Sequence, residues 1–344
     1  MENLHKMRAS ALALVLVLAA ACGSNVPAQA TTPRASEPPV APPERWLALI
    51  GEYGPEADSA MVLERDGRLV LHMRKFADVT LAEQSADVFS AGEKSRVRFL
   101  RNTAGRVTSL IADGTQLVRR QVGPESGNQL LVPPVRPMAE LRKEALAASP
   151  PVEAGPFRPT DLVELTTLDP TIKLEIRYAT SNNLFGTPFY SEARAFLQRP
   201  AAEAVVRANK ALRAQGYGLL IHDGYRPWYV TKMFWDASPK DKHIFVADPS
   251  KGSRHNRGAA VDLTLYDLGT GAPVEMVSTY DETSSRAYPD YPGGTSRQRW
   301  YRALLRTAME AERFTVFEAE WWHFDYADWK QYGIGNVDFG RIGR

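Results

Sequence analysis

Ser253-Arg254-His255-Asn256-Arg257-Gly258-Ala259-Ala260-Val261-Asp262 sets one histidine and one aspartate seven residues apart, with a glycine between them. Two side chains that must turn back toward one point need a permissive, uncrowded backbone, and Gly258 followed by two alanines supplies it. From Ala260 to Leu265 small or apolar residues alternate with polar ones, the pattern of a strand from which Asp262 projects. The stretch reads as half of a metal site. The other half is Glu320-Trp321-Trp322-His323, which offers a third ligand and a spare carboxylate.

A catalytic zinc takes three N or O ligands from the protein and keeps a fourth position for water. His255, Asp262 and His323 make up such a set, so one zinc per chain is expected. Zinc held this way lowers the pKa of its water to near neutrality. Glu320 then reads as the general base, taking the proton and delivering it to a leaving amine. Positions three apart on a regular strand face opposite ways, so the reading requires a bend or bulge near Trp322. Arg226 lies in Asp223-Gly224-Tyr225-Arg226-Pro227-Trp228, just after the apolar strand Gly218 to His222. Pro227 disfavours helical backbone at Arg226, and a guanidinium fixed in an extended segment can stabilise an oxyanion. His222 and His243 read as non-ligands, because the three positions are filled. Of Trp321 and Trp322, alternation sends one to each face.

Outward from this site the chain divides by composition. Residues 1–22 read as a signal peptide: a weakly basic start, an apolar run from Ala9 to Ala21, and Cys22, the sole cysteine of 344 residues. The position of Cys22 after Ala19-Ala20-Ala21 resembles a bacterial lipobox, so Cys22 is the expected lipidation site. That places the protein in the periplasm or at the outer membrane, with this anchor as its only expected contact with a membrane. Residues 23–45, rich in Pro and Ala, form a tether. Residues 46–122 read as a small all-β, barrel-like domain. Its clearest signal is Asp66-Gly67 between Ala60–Arg65 and Arg68–Met73, the composition of a hairpin turn. A second pair spans Ser95 to Leu100 and Val107 to Ile111, and a last strand is expected at Gln116 to Gln121. His72 is a strand histidine here, and nothing in this domain identifies a protein partner. Residues 123–159 are a Pro-rich linker with a short helix near Met138 to Ala148, and 160–344 hold the metal motifs. Amphipathic helices are expected over Pro200 to Gln215 and Ser296 to Ala311. The expected fold class of this last region is α+β, a small antiparallel sheet with flanking helices. The formal net charge of +2 lacks the basic excess of a nucleic-acid footprint.

Ser253-x-His255-x-x-Gly258-x-Ala260-x-Asp262 together with Glu320-Trp321-Trp322-His323 resembles the zinc D-alanyl-D-alanine dipeptidases, relatives of the zinc D,D-carboxypeptidases and of the hedgehog signalling domain. The similarity runs over about Asp161 to Tyr332 and includes Ile176-Arg177-Tyr178-Ala179-Thr180 and Tyr225-Arg226-Pro227. The resemblance implies zinc binding by His255, Asp262 and His323, general-base action by Glu320 and transition-state stabilisation by Arg226. It also implies substrate binding by Ser253, Asp281 and Trp321, with Asp281 taking the free amino group of a dipeptide. The expected activity is hydrolysis of D-Ala-D-Ala or a close dipeptide in the cell envelope. Two alternatives stand beside it: a D,D- or L,D-carboxypeptidase acting on peptidoglycan stem peptides, and a non-catalytic zinc module binding wall peptides. Asp236 to Gly252 and Tyr288 to Gly294 read as this protein's own walls around the site.

Overall fold

The computed structural model describes residues 37–123 and 131–343. The predicted signal peptide, Cys22, most of the tether and part of the linker lie outside the described residues. A helical turn, α1 (Glu44–Leu47), leads into eight strands: β1 (Gly51–Tyr53), β2 (Ala60–Arg65), β3 (Arg68–Met73), β4 (Val79–Ser85), β5 (Val88–Ala91), β6 (Ser95–Arg101), β7 (Val107–Ala112) and β8 (Thr115–Val118). Each pairs antiparallel with the next. The Gly54 amide donates to Val118 O and the Arg120 amide to Glu52 O, both at 2.8 Å, returning the end of the sheet to its beginning. The result is a nearly closed barrel around Tyr53, Val62, Leu71, Phe89, Phe99 and Leu110. At the β2–β3 turn Asp66 and Gly67 both have positive φ (50° and 77°), as a two-residue hairpin requires. The structure adds β1 and the β4–β5 hairpin to the strands read from sequence, and β8 ends at Val118 rather than Gln121.

The remaining strands and helices are α2 (Met138–Ala147), β9 (Leu162–Glu164), α3 (Leu165–Leu168), β10 (Lys173–Leu174), β11 (Phe196–Gln198), α4 (Arg199–Arg213), β12 (Tyr217–Asp223), α5 (Trp228–Ala237), β13 (Ala260–Asp267), α6 (Ser296–Ala311), β14 (Phe314–Phe317) and β15 (Glu320–Tyr326). Five of the strands form one sheet in the order β10-β12-β13-β15-β14, and β9 and β11 pair separately. The sheet is mixed, not purely antiparallel, because β10 runs parallel to β12. The long connection between those two strands carries α4, and a crossover of that length is what parallel pairing needs. Helix α4 buries Ala201, Ala204, Val205, Ala208 and Leu212, the i, i+3, i+4, i+7, i+11 stripe of one helix face. Helix α6 starts at a capping box, Thr295 accepting from the Gln298 amide while the Gln298 side chain accepts from Thr295. Helix α2 buries Leu141 and Ala145 in the same core, so this part of the Pro-rich linker is strapped down.

Strand β2 explains how the barrel meets the rest. In a strand successive side chains alternate between faces. Ala60 and Val62 point into the barrel, while Met61 and Leu63 pack outward with Val70 against Val277 and Tyr291. This is why Ala60–Leu63 is buried throughout and reads as a continuous apolar run. Two buried carboxylates complete the junction. Glu52 accepts from Tyr291 Oη at 2.9 Å and is paired with Arg120, and Glu64 Oε2 accepts from the Ser296 amide at 2.7 Å. The barrel thus grips the segment between β13 and α6.

Candidate active site

Strands β13 and β15 are neighbours, and their register sets Asp262 directly opposite His323. Opposed residues on adjacent antiparallel strands present their side chains on one face, so pairing alone brings these two together. His255 arrives from a short 3₁₀ turn, His255–Arg257, which Gly258 ends in the left-handed region (φ 65°) before β13 begins. A Cβ on Gly258 would come within 2.5 Å of Leu162. Glu320 reaches the same place because β15 is irregular. Val316 pairs with Phe324, but the next residue, Phe317, pairs with Glu320, leaving Trp321, Trp322 and His323 as the expected bulge.

One atom each of His255, Asp262 and His323 lies within 4.8 Å of the others, all three residues being buried. The separations are 3.2 Å between His255 Nε2 and His323 Nδ1, 2.9 Å from His323 Nδ1 to Asp262 Oδ1, and 3.4 Å from His255 Nε2 to the same oxygen. The opposite ends of the rings fix what these atoms offer. His255 Nδ1 lies 2.8 Å from Gly224 O, which can only accept, and His323 Nε2 lies 3.0 Å from the Asp325 carboxylate. Each ring spends its proton there, so two nitrogen lone pairs and a carboxylate oxygen converge on one point. Asp325 is itself paired with Arg254, and Asp262 Oδ2 accepts from Tyr280 Oη at 2.8 Å. Ligands held from behind in this way are characteristic of metal sites. Tetrahedral zinc with bonds of about 2.0–2.1 Å sets its ligand atoms about 3.3 Å apart, and the three separations bracket that value. The donor set fits zinc.

Around it lies a cavity of about 350 Å³, lined by Arg226, Ser253, Asp281 and Glu320 among others. The Arg226 guanidinium donates to Asp223 Oδ2 through Nε (3.1 Å) and Nη2 (2.6 Å) and lies 4.6 Å from the Phe234 ring centre. Burial works against its charge, but the Asp223 carboxylate keeps it firmly protonated. Glu320 Oε2 is 3.9 Å from His323 Nδ1, and its side chain keeps about 39% of its surface open to the cavity. Its pKa is raised, first by burial and also by the charge of Asp262, against the pull of His323. Asp281 sits at positive φ (61°) and accepts from Tyr178 Oη at 2.9 Å. Burial and the neighbouring Asp262 charge push it up to about 8. Ser253 lines the cavity while its Oγ accepts from the His255 amide at 3.3 Å. Trp321 stands apart from these residues. It is buried and donates through Nε1 to Ser278 Oγ at 2.8 Å, lining neither this cavity nor the one beside it. Trp322 lines the adjoining cavity instead. His222, lowered to about 4 by burial, packs on Tyr280, and His243 stacks on Trp235. Neither joins the cluster.

With this geometry in place, a family model for D-ala-D-ala dipeptidase, peptidase M15, matches residues 158–337. The chain belongs to this family. The D-alanyl-D-alanine dipeptidase of Escherichia coli K12 is 34% identical over 166 residues, covering 48% of this chain and 84% of that relative. The enzyme of the same name from Enterococcus faecium is 35% identical over 175 residues, covering 46% and 87%. The M15 family is zinc-dependent in general, in keeping with the donor set. A crystal structure of SurE with D-Leu matches 24% of this chain and 21% of that one, at 27% identity and a TM-score of 0.20.

Several residues of this M15 site escape a reading by motif. Asp325 is two positions after His323, and the strand period of 2 puts both on one face, so His-x-Asp on a strand was the available signal. Asp223, Tyr280 and Tyr178 come from separate segments and carry none. Arg226→Ala is expected to lower kcat about 10²–10³-fold, the range for loss of one oxyanion donor. It is also expected to destabilise the fold by about 3–5 kcal/mol, because Asp223 is left buried with its charge unpaired. Steady-state kinetics and denaturant melts on the same preparation check both.

Proposed function

We infer that the protein hydrolyses D-alanyl-D-alanine, or a close dipeptide, in the cell envelope, with a zinc ion held by His255, Asp262 and His323. The observation that carries this reading is the convergence of three ligand lone pairs beside Glu320 and Arg226, in a chain of the D-Ala-D-Ala dipeptidase family. The signal read in residues 1–22 supports the envelope location. When bound, zinc supplies Lewis acidity, polarising the scissile carbonyl and making water a stronger acid. Glu320 takes the proton of the attacking water and passes it to the departing amine. Arg226 donates to the oxygen on which negative charge develops. Asp281 receives the free ammonium of the dipeptide, whose positive charge offsets the burial and the neighbouring carboxylates that raise this group. Ser253 contributes a hydroxyl at the carboxyl end.

The deciding assay is release of D-alanine from D-Ala-D-Ala beside N-acetyl-D-Ala-D-Ala, with purified zinc-loaded protein. Cleavage of the free dipeptide alone is expected, since acetylation removes the charge that Asp281 takes. Equal cleavage of the blocked peptide would make the protein a carboxypeptidase, and cleavage of neither would make it a binding module.

A further inference from the structure

The cavity at the metal site continues past Glu320. A second cavity of about 480 Å³ shares Tyr178, Ile244, Phe245, Asp281, Phe317 and Glu320 with the first and ends on Glu56 and Arg120 of the barrel. Small-molecule sites run from about 300 to 1,000 Å³, so the first cavity alone is of a size for a small dipeptide. The second is surplus to two alanines, whose side chains are single methyl groups.

Exposed apolar side chains line it beside the exposed polar residues Glu56, Thr283 and Ser285. Ile244 is 84% exposed, Tyr288 51% and Phe245 41%; Ile244 and Phe245 stand where the two cavities join, and of the two cavities Tyr288 and Trp322 border this one alone. Large apolar side chains gathered in water around one cavity mark a surface that is covered in use. Both contributing segments fall in the stretches that read from sequence as this protein's own walls. The barrel fixes the far end, where Arg120 is paired with the buried Glu52.

We propose that this second cavity is a subsite for the side chain of the substrate's amino-end residue, and that it takes a large apolar or aromatic group. The inference rests on the dipeptidase reading above and deepens it. In that reading the amino-end Cα carries both the ammonium, held by Asp281, and the scissile carbonyl, attended by Glu320. Both carboxylates line the wall common to the two cavities, so the amino-end residue sits at their junction and its side chain is the branch left to enter the second. Ser253 and Arg254 border only the first cavity, and the carboxyl-end residue stays there.

The test compares kcat/KM for D-Phe-D-Ala and D-Ala-D-Ala with zinc-loaded full-length protein. Filling an apolar subsite changes kcat/KM by about tenfold or more, so D-Phe-D-Ala is expected to exceed D-Ala-D-Ala by at least that factor. The double variant Ile244→Ser, Tyr288→Ser alters two exposed positions and is expected to lower this ratio at least tenfold. If D-Ala-D-Ala is hydrolysed but D-Phe-D-Ala is no better, or if the ratio does not move in the variant, the subsite is wrong and the dipeptidase reading stands. If neither dipeptide is hydrolysed, both fall together.

Discussion

Glu320→Ala is expected to lower kcat for D-alanyl-D-alanine by about 10²–10⁴-fold, the usual worth of a positioned acid-base group, while zinc content stays at one per chain. The two halves of that result separate a base from a ligand. Glu320 stands 3.9 Å from His323 Nδ1 and outside the three-atom cluster, with part of its carboxylate open to the cavity. Its removal therefore leaves the ligand set whole. It also removes one carboxylate from beside Asp262 and Asp281, and costs the metal cluster only the 3.9 Å ion pair to His323. Glu320→Gln keeps the shape and the bulge of β15 but cannot accept a proton, and its kcat is expected to fall by the same factor. Metal analysis and single-turnover kinetics on both variants check this. Loss of zinc in proportion to loss of activity would instead make Glu320 a fourth ligand.

What could be read from the sequence follows from how local each feature is. Asp66-Gly67, the amphipathic run of α6 from Ser296 to Ala311 and the apolar stripe of α4 are decided within a few residues, and each stands where its pattern placed it. The metal motifs were legible because ligand chemistry restricts residue type so severely. Even the irregularity of β15 could be required in advance, since Glu320 and His323 cannot otherwise share a side of a strand. The β4–β5 hairpin was not legible. It turns at Ala86-Asp87 with Asp87 at φ 62° and no glycine, so the backbone adopts the left-handed region without the residue that advertises it. The parallel β10–β12 pair joins a two-residue strand to one far along the chain, beyond the reach of periodicity. Trp321 and Trp322 were separable in principle but not assignable, because inside a bulge alternation no longer says which ring faces which way. The grip of Glu52 and Glu64 on the Tyr291–Ser296 segment is a matter of tertiary placement alone.

Removing the metal is expected to abolish turnover and to lower the melting temperature markedly, because the three ligands are buried groups arranged for a cation. In the bare site burial disfavours a charged imidazole, yet the Asp262 and Asp325 carboxylates hold His323 up at about 10. The cluster therefore takes up a proton where it lacks a metal, and binding zinc must release it. Asp262 is held well below the usual carboxylate range, against its burial, by the two imidazoles, so this oxygen needs no deprotonation before it binds. An ion at 1,000 times its dissociation constant stabilises the folded state by about 4 kcal/mol. In a domain of this size each kcal/mol moves the melting temperature by about 2–4 °C, giving an expected fall on the order of 10 °C after exhaustive chelation. Activity and melting temperature should return together on adding one equivalent of zinc. His255→Ala is expected to reproduce the metal-free protein and not to respond to zinc, since the remaining nitrogen and carboxylate leave the ion two protein ligands where a catalytic zinc site has three. A His255→Ala protein that binds zinc stoichiometrically and melts like the wild type would show that the ion sits elsewhere.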